Sequence, residues 1–189
     1  MRRRQFTLIF GLVLISIIFG TFYVSLQQVL RQGANKIPSQ VAEQAKIDLS
    51  NGKAISDIVP QTKNELIDSF SITPFIIAYD SSNNVIASSI TVGGQQPDLP
   101  AGVLLAAKEA QPGLDNENRV TWQPALGTRE AIVVVSTQDG SESKVAHIVA
   151  GQSLRETEKQ IDYLGKIILA GWLLSSLAWL GYWLSVRKA

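Results

Sequence analysis

The chain has 189 residues, a net charge of +1 and no cysteine. That length allows one domain of ordinary size plus appendages, and the missing thiols exclude disulfides, thiolate catalysis and cysteine-ligated zinc. All 16 acidic residues lie between Glu43 and Asp162, and five of the 17 basic ones sit at the ends (Arg2, Arg3, Arg4, Arg187, Lys188), so the stretch 27–166 is weakly acidic. Such a surface argues against nucleic acid, whose phosphates need basic side chains to neutralise them.

Phe6 to Leu26 is an uncharged run of 21 residues, 14 of them Leu, Ile, Val or Phe. At roughly −0.3 to −0.6 kcal/mol for each such residue near a helix centre, transfer into lipid is favourable by several kcal/mol. The run is longer than the apolar core of a signal peptide, and no small-x-small cleavage site follows it directly. Ile167 to Val186 is a second uncharged run, of 20 residues. At 1.5 Å per residue each reaches about 30 Å, the thickness of the hydrocarbon core. Basic clusters flank the outer ends of both runs, so the positive-inside rule places both termini in the cytoplasm. The expected layout is a cytoplasmic N-terminus (1–5), a first transmembrane helix (6–26), an extracytoplasmic domain (27–166), a second transmembrane helix (167–186) and a short cytoplasmic tail (187–189). The localisation that follows is the cell's inner membrane, as a multi-pass protein, with the lipid bilayer as its first partner.

Between the runs, Leu30, Ala34, Ile37, Val41, Ala45 and Leu49 step by three or four, as one face of a helix does. Pro38 predicts a break, with a new helix starting near Pro38 or Ser39, and Asn51-Gly52 a stop. A short helix is expected over Gln61–Ser69. Phe75–Tyr79 and Val85–Ser89 read as strands around a polar turn, Asp80–Asn84. A helix over Pro100–Ala110, ended by Pro112-Gly113, precedes three strands: Arg119–Gln123, Ala131–Thr137 and Lys144–Gly151, the last two joined through QDGSES. Ser153 with Glu156 has the spacing of a capping box, opening a helix that continues without proline into the second run. Five short strands joined mostly by hairpins predict an α+β fold, an antiparallel five-stranded sheet with helical cover.

Two stretches, FIIAYDSSNNVIASS and VAHIVAGQSLRETEKQI, resemble the central hairpin and the last strand plus exit helix of PAS-like or Cache-like extracytoplasmic sensor domains. These domains occur in bacterial two-span membrane proteins such as sensor histidine kinases and chemoreceptors. The resemblance covers about Asn35 to Lys166 and implies a PAS/Cache-like sheet between the two transmembrane helices, with ligand held between sheet and helices. It nominates Phe75, Tyr79, Trp122 and Arg129 as lining residues for a small-molecule ligand. Sensor kinases continue into a phosphoacceptor histidine and an ATP-binding domain; here three residues follow the second run, so no output domain and no enzyme activity are expected.

Residue chemistry points the same way. His147, the sole histidine, alternates with Val145 and Val149 and is read as a structural group or as a pH-sensitive part of a ligand pocket. One histidine cannot make a typical zinc site, so no metal and no cofactor are expected. The serines lack a nucleophile-elbow context, and Asp80 and Asp139 read as turn carboxylates bonding local amides. Gly171, Ser175 and Ala178 offer a small-residue face for helix packing in the membrane, between the chain's own spans or with a second protein or copy. The expected function is a membrane-anchored sensory or accessory module acting through a partner. The alternative is a structural or assembly protein of the cell envelope that uses the domain as a docking surface.

Overall fold

The computed structural model describes residues 2–66, 73–109, 117–137 and 144–188. They form two compact units, Met1–Arg31 with Thr157–Ala189, and Gln32–Glu156.

The first unit is a pair of long helices. α1 spans Arg2–Gly33 and α5 spans Arg155–Lys188, and both are long and apolar enough to cross a membrane. They pack along a seam of small and aromatic residues. Gly11 lies under the Trp179 indole, Gly171 against Phe19 and Gly165 against Tyr23. Trp179 Nε1 donates to the Leu8 carbonyl at 3.2 Å and Trp172 Nε1 to Ser16 Oγ at 3.0 Å. Absent side chains at the glycines make room for the rings, and the indole N–H groups find acceptors that an apolar surround would otherwise deny them. The outward faces carry exposed Ile9, Ile17, Phe22, Leu169 and Leu174.

In the second unit, α2 (Lys36–Ser50) starts just before the predicted break. Pro38 sits in its first turn, where the N–H that proline lacks would have had no intrahelical partner. Asn51 and Gly52 close the helix, Gly52 at φ +81°. The buried face is Pro38, Ala42, Ala45 and Leu49, while Ile37 is exposed, so the helix is rotated from the expected stripe. Ala42 and Ala45 are small enough to let α2 lie close on the sheet.

After α3 (Ile55–Ile58) comes β1 (Asn64–Glu65), which pairs in parallel with β4 (Ile90–Thr91). Over residues 61–66 the expected helix (61–69) is therefore replaced by a bend, the two-residue strand and a turn at Leu66; its remainder lies outside the described residues. Glu65 explains the choice: its carboxylate accepts from Gly93 N at 2.7 Å, Gly94 N at 2.9 Å and Thr91 Oγ1 at 2.8 Å. Those long-range bonds hold the segment extended.

The main sheet follows the predicted strands closely. β2 (Phe75–Tyr79) and β3 (Val85–Ser88) form the expected hairpin. In its turn, Asp80 Oδ1 accepts from Ser82 N and Asn84 N, both at 2.8 Å, and Asn83 takes φ +65°. The Asn84 bonds hold the Asp80 carboxyl below its usual range. α4 spans Ala101–Glu109; its predicted stop and Asp139 lie outside the described residues. β5 (Glu117–Ala125), β6 (Thr128–Ser136) and β7 (His147–Ser153) complete an antiparallel sheet ordered β3-β2-β7-β6-β5. Each of these strands differs from its prediction by a few residues at the ends. β7 begins at His147, so Val145 precedes the strand and packs with the α2 cluster instead of sharing the histidine's face.

Both faces of the sheet are covered. On one, Ala78, Val133, Val135, Ile148 and Ala150 meet Ala42, Ala45 and Leu49 of α2. On the other, Phe75, Ile77, Tyr79, Ile132, Val134 and Val149 meet Leu104 and Ala107 of α4. Burial of each large apolar side chain here is worth about 1.5–3 kcal/mol. Strands buried on both faces read as near-continuous apolar runs, as Ala131 to Val135 does.

Candidate functional site

Successive strand residues point to opposite faces. The α4 face therefore receives Phe75, Ile77 and Tyr79 from β2, Glu130, Ile132 and Val134 from β6, Val149, Gly151 and Ser153 from β7, and Val120 and Trp122 from β5. Phe75 pairs in register with Gly151. The glycine leaves room for the Phe75 ring: a Cβ there would overlap the ring and sit 2.8 Å from Ile132 Cγ2. Phe75 then meets Trp122 edge-on, with centroids 6.3 Å apart and planes at 62°.

Two cavities open on this face. An open groove of about 440 Å³ runs along Asp98, Val103, Trp122, Gln123 and Ile132. A smaller cavity of about 70 Å³ lies among Thr62, Asn64, Leu66, Phe75, Glu130 and Ser153. Phe75 and Trp122 thus touch each other while lining different cavities.

Glu130 is the unusual residue. It is 2 % exposed, at the end of an apolar strand. It stands directly opposite Ser153 in the β6–β7 ladder. Burial raises its carboxyl pKa to about 7, and the Ser153 hydrogen bond offsets only part of that rise. Its Oε2 has no hydrogen-bond partner among the described residues. An isolated carboxylate in such a place is costly unless a proton or a cation compensates it.

The sequence-nominated residues divide. Phe75 and Trp122 line the cavities as placed above. Tyr79 is buried on the same face, its hydroxyl donating to the Pro97 carbonyl at 3.3 Å. Burial, and then the Asp98 charge, push the phenol's pKa up. His147 pairs with Tyr79, is 5 % exposed and has Nδ1 3.2 Å from Ser136 Oγ. Neither residue lines either of these two cavities. Arg129 points away: it is exposed and next to inward Glu130, so strand alternation puts it on the opposite face. It lines neither of these two cavities. Glu130 itself was missed, although its i, i+2, i+4 alignment with Ile132 and Val134 was readable.

In the paired helices, Gly171 packs on Phe19, Ser175 is half-buried and Ala178 is exposed. At the start of α5, Arg155 N donates to Ser153 Oγ at 3.4 Å, one residue earlier than the capping-box donor at Glu156. Among the described residues no group of three or more His, Asp or Glu comes together to hold a metal ion.

These features define an α+β domain with a ligand-sized groove and a buried acid on one face of a five-stranded antiparallel sheet. Comparison with family models, with curated proteins and with solved structures gives no match.

Proposed function

We propose that the chain is a membrane-anchored sensory or accessory module. Its sheet domain, of PAS/Cache-like type, lies outside the cytoplasm and binds a small ligand; its two helices cross the inner membrane; and a partner protein carries the output. The observation that carries this reading is the cavity pair on the α4 face, each cavity setting a few polar groups among apolar walls: Asp98 and Gln123 in the groove, Glu130 and Ser153 in the smaller cavity. Concave sites with a few polar groups on an apolar lining are the usual form of small-molecule sites.

The membrane assignment is supported by the large apolar side chains exposed along both faces of the α1–α5 pair. In water such a surface is an association hazard, whereas lipid removes the cost. Orientation rests on the arginines and lysine outside both runs. On this reading α5 is the output element, because one helix leaves β7 and continues through the apolar run.

The test is affinity purification of the full-length protein in detergent, with identification of what co-purifies. A membrane protein recovered in fixed stoichiometry supports a module that acts through a partner. Recovery of envelope components alone, bound through the domain surface, favours the docking alternative.

A further inference from the structure

We propose that the cavity beside Glu130 binds a small protonated organic amine, with the ammonium group on the free Glu130 oxygen and the alkyl part against Phe75 and Leu66. This names a ligand class for the domain and rests on the ligand-binding reading above.

Three observations carry it. Glu130 is almost fully buried, and one of its two oxygens is already bonded to Ser153 while Oε2 has no partner among the described residues. The cavity its carboxyl lines holds about 70 Å³, room for more than one water and for a ligand of a few heavy atoms. Its other described walls are neutral: hydroxyls and an amide from Thr62, Asn64 and Ser89, with apolar area from Leu66, Phe75 and Ile90. Among the described residues no other titratable side chain lines it. Glu65, on neighbouring β1, is committed to Gly93, Gly94 and Thr91, and Arg129 and Arg155 are exposed. Among the described residues no cationic side chain lines the cavity, so the cation that compensates an ionised Glu130 is one that enters it.

Chemistry selects the cation. Calcium takes six to eight oxygen ligands, usually with several carboxylates, and Glu130 is the only carboxylate among the described lining residues. An ammonium group needs only a few acceptors in this space, and the Phe75 ring and aliphatic walls suit its carbon substituent. Binding displaces the carboxyl proton to solvent: the amine enters charged, Glu130 leaves its neutral form, and one proton is released per amine bound at low pH.

The test uses the full-length protein in detergent micelles and ethylammonium chloride, which is charged throughout the range. Calorimetry should show saturable binding at pH 8 that weakens about thirty-fold at pH 5.5, where Glu130 holds its own proton. Glu130→Gln should weaken binding at pH 8 at least tenfold, and potassium chloride at equal ionic strength should not compete. Binding equal in Glu130→Gln, or full competition by potassium, overturns the assignment. Should Glu130→Gln fail to fold, infrared difference spectra of the wild type decide. Near pH 6.5 ethylammonium should remove a protonated-carboxyl band that potassium leaves in place, and a persisting band overturns the proposal. A negative result alongside a stoichiometric partner in the affinity purification would overturn the amine and leave the module reading standing.

Discussion

Glu130 and Ser153 face each other across the β6–β7 ladder, and the serine hydroxyl bonds one carboxyl oxygen while the other has no partner among the described residues. Ser153 also accepts the Arg155 N–H at the start of α5. One side chain therefore connects the buried acid to the first turn of the exit helix.

The first prediction is a pH dependence of stability. Glu130 titrates near 7 when folded, against an ordinary value of 4.5. Between those values the folded state holds the proton and the unfolded chain releases it, so raising pH favours unfolding. The contribution of this group should fall by on the order of 3 kcal/mol across that window and level off above it. Glu130→Gln should flatten this part of the curve. Ser153→Ala removes the bond that favours the charged form, so it should extend the falling limb to higher pH. Chemical denaturation of the detergent-solubilised protein, followed by tryptophan fluorescence from pH 4 to 9, reads all three.

Gly151→Ala should destabilise the sheet domain by about 1–3 kcal/mol. The added methyl meets the Phe75 ring and Ile132 Cγ2 inside a packed face. The same substitution at Gly102 of α4, where nothing lies within 4 Å, should have no steric cost. Thermal melts of the two variants check the difference.

The helix pair should depend on Gly11 and not on Gly20. A side chain at Gly11 overlaps the Trp179 indole, whereas Gly20 has nothing within 4 Å. Gly11→Val should broaden and lengthen the distance between nitroxide labels at Val13 and Leu177, both exposed. Gly20→Val should leave that distance unchanged. Electron-spin distance measurements in nanodiscs make the comparison.

Topology is tested with single cysteines, since the chain has none of its own. Cysteine at Ser82 or Leu126, both exposed in hairpin turns, should react with a membrane-impermeant maleimide in intact spheroplasts. Cysteine at Ala189 should react only after lysis. The opposite pattern would invert the orientation and remove the extracytoplasmic ligand from the proposed function.

Much of the sheet could be read from local pattern. β2 was legible from FIIAY, and its turn from the Asp, Ser and Asn that follow, because turn carboxylates and left-handed asparagines act within four residues. β1 was not legible. A two-residue strand has no periodicity, and it stays extended through Glu65 bonds to a turn 28 residues away. The site divided in the same way: Phe75 and Trp122 stood out as aromatics on strands, but the ionisable neighbour chosen was Arg129 and the inward one is Glu130. A shift of one residue reverses every side chain in a strand.

The sequence by itself determined the two uncharged helical runs, the antiparallel five-stranded sheet and the acidic balance of the middle. All three depend on composition and on periods of a few residues. Tertiary structure decided which face of α2 is buried, that Gly151 yields its space to Phe75, and that Gly11 yields its space to Trp179. It also decided that Glu130 faces a cavity with one oxygen unbonded among the described residues. Those outcomes are set by contacts between residues far apart in the chain, where the fit of two surfaces, and not the preference of either segment, fixes the geometry.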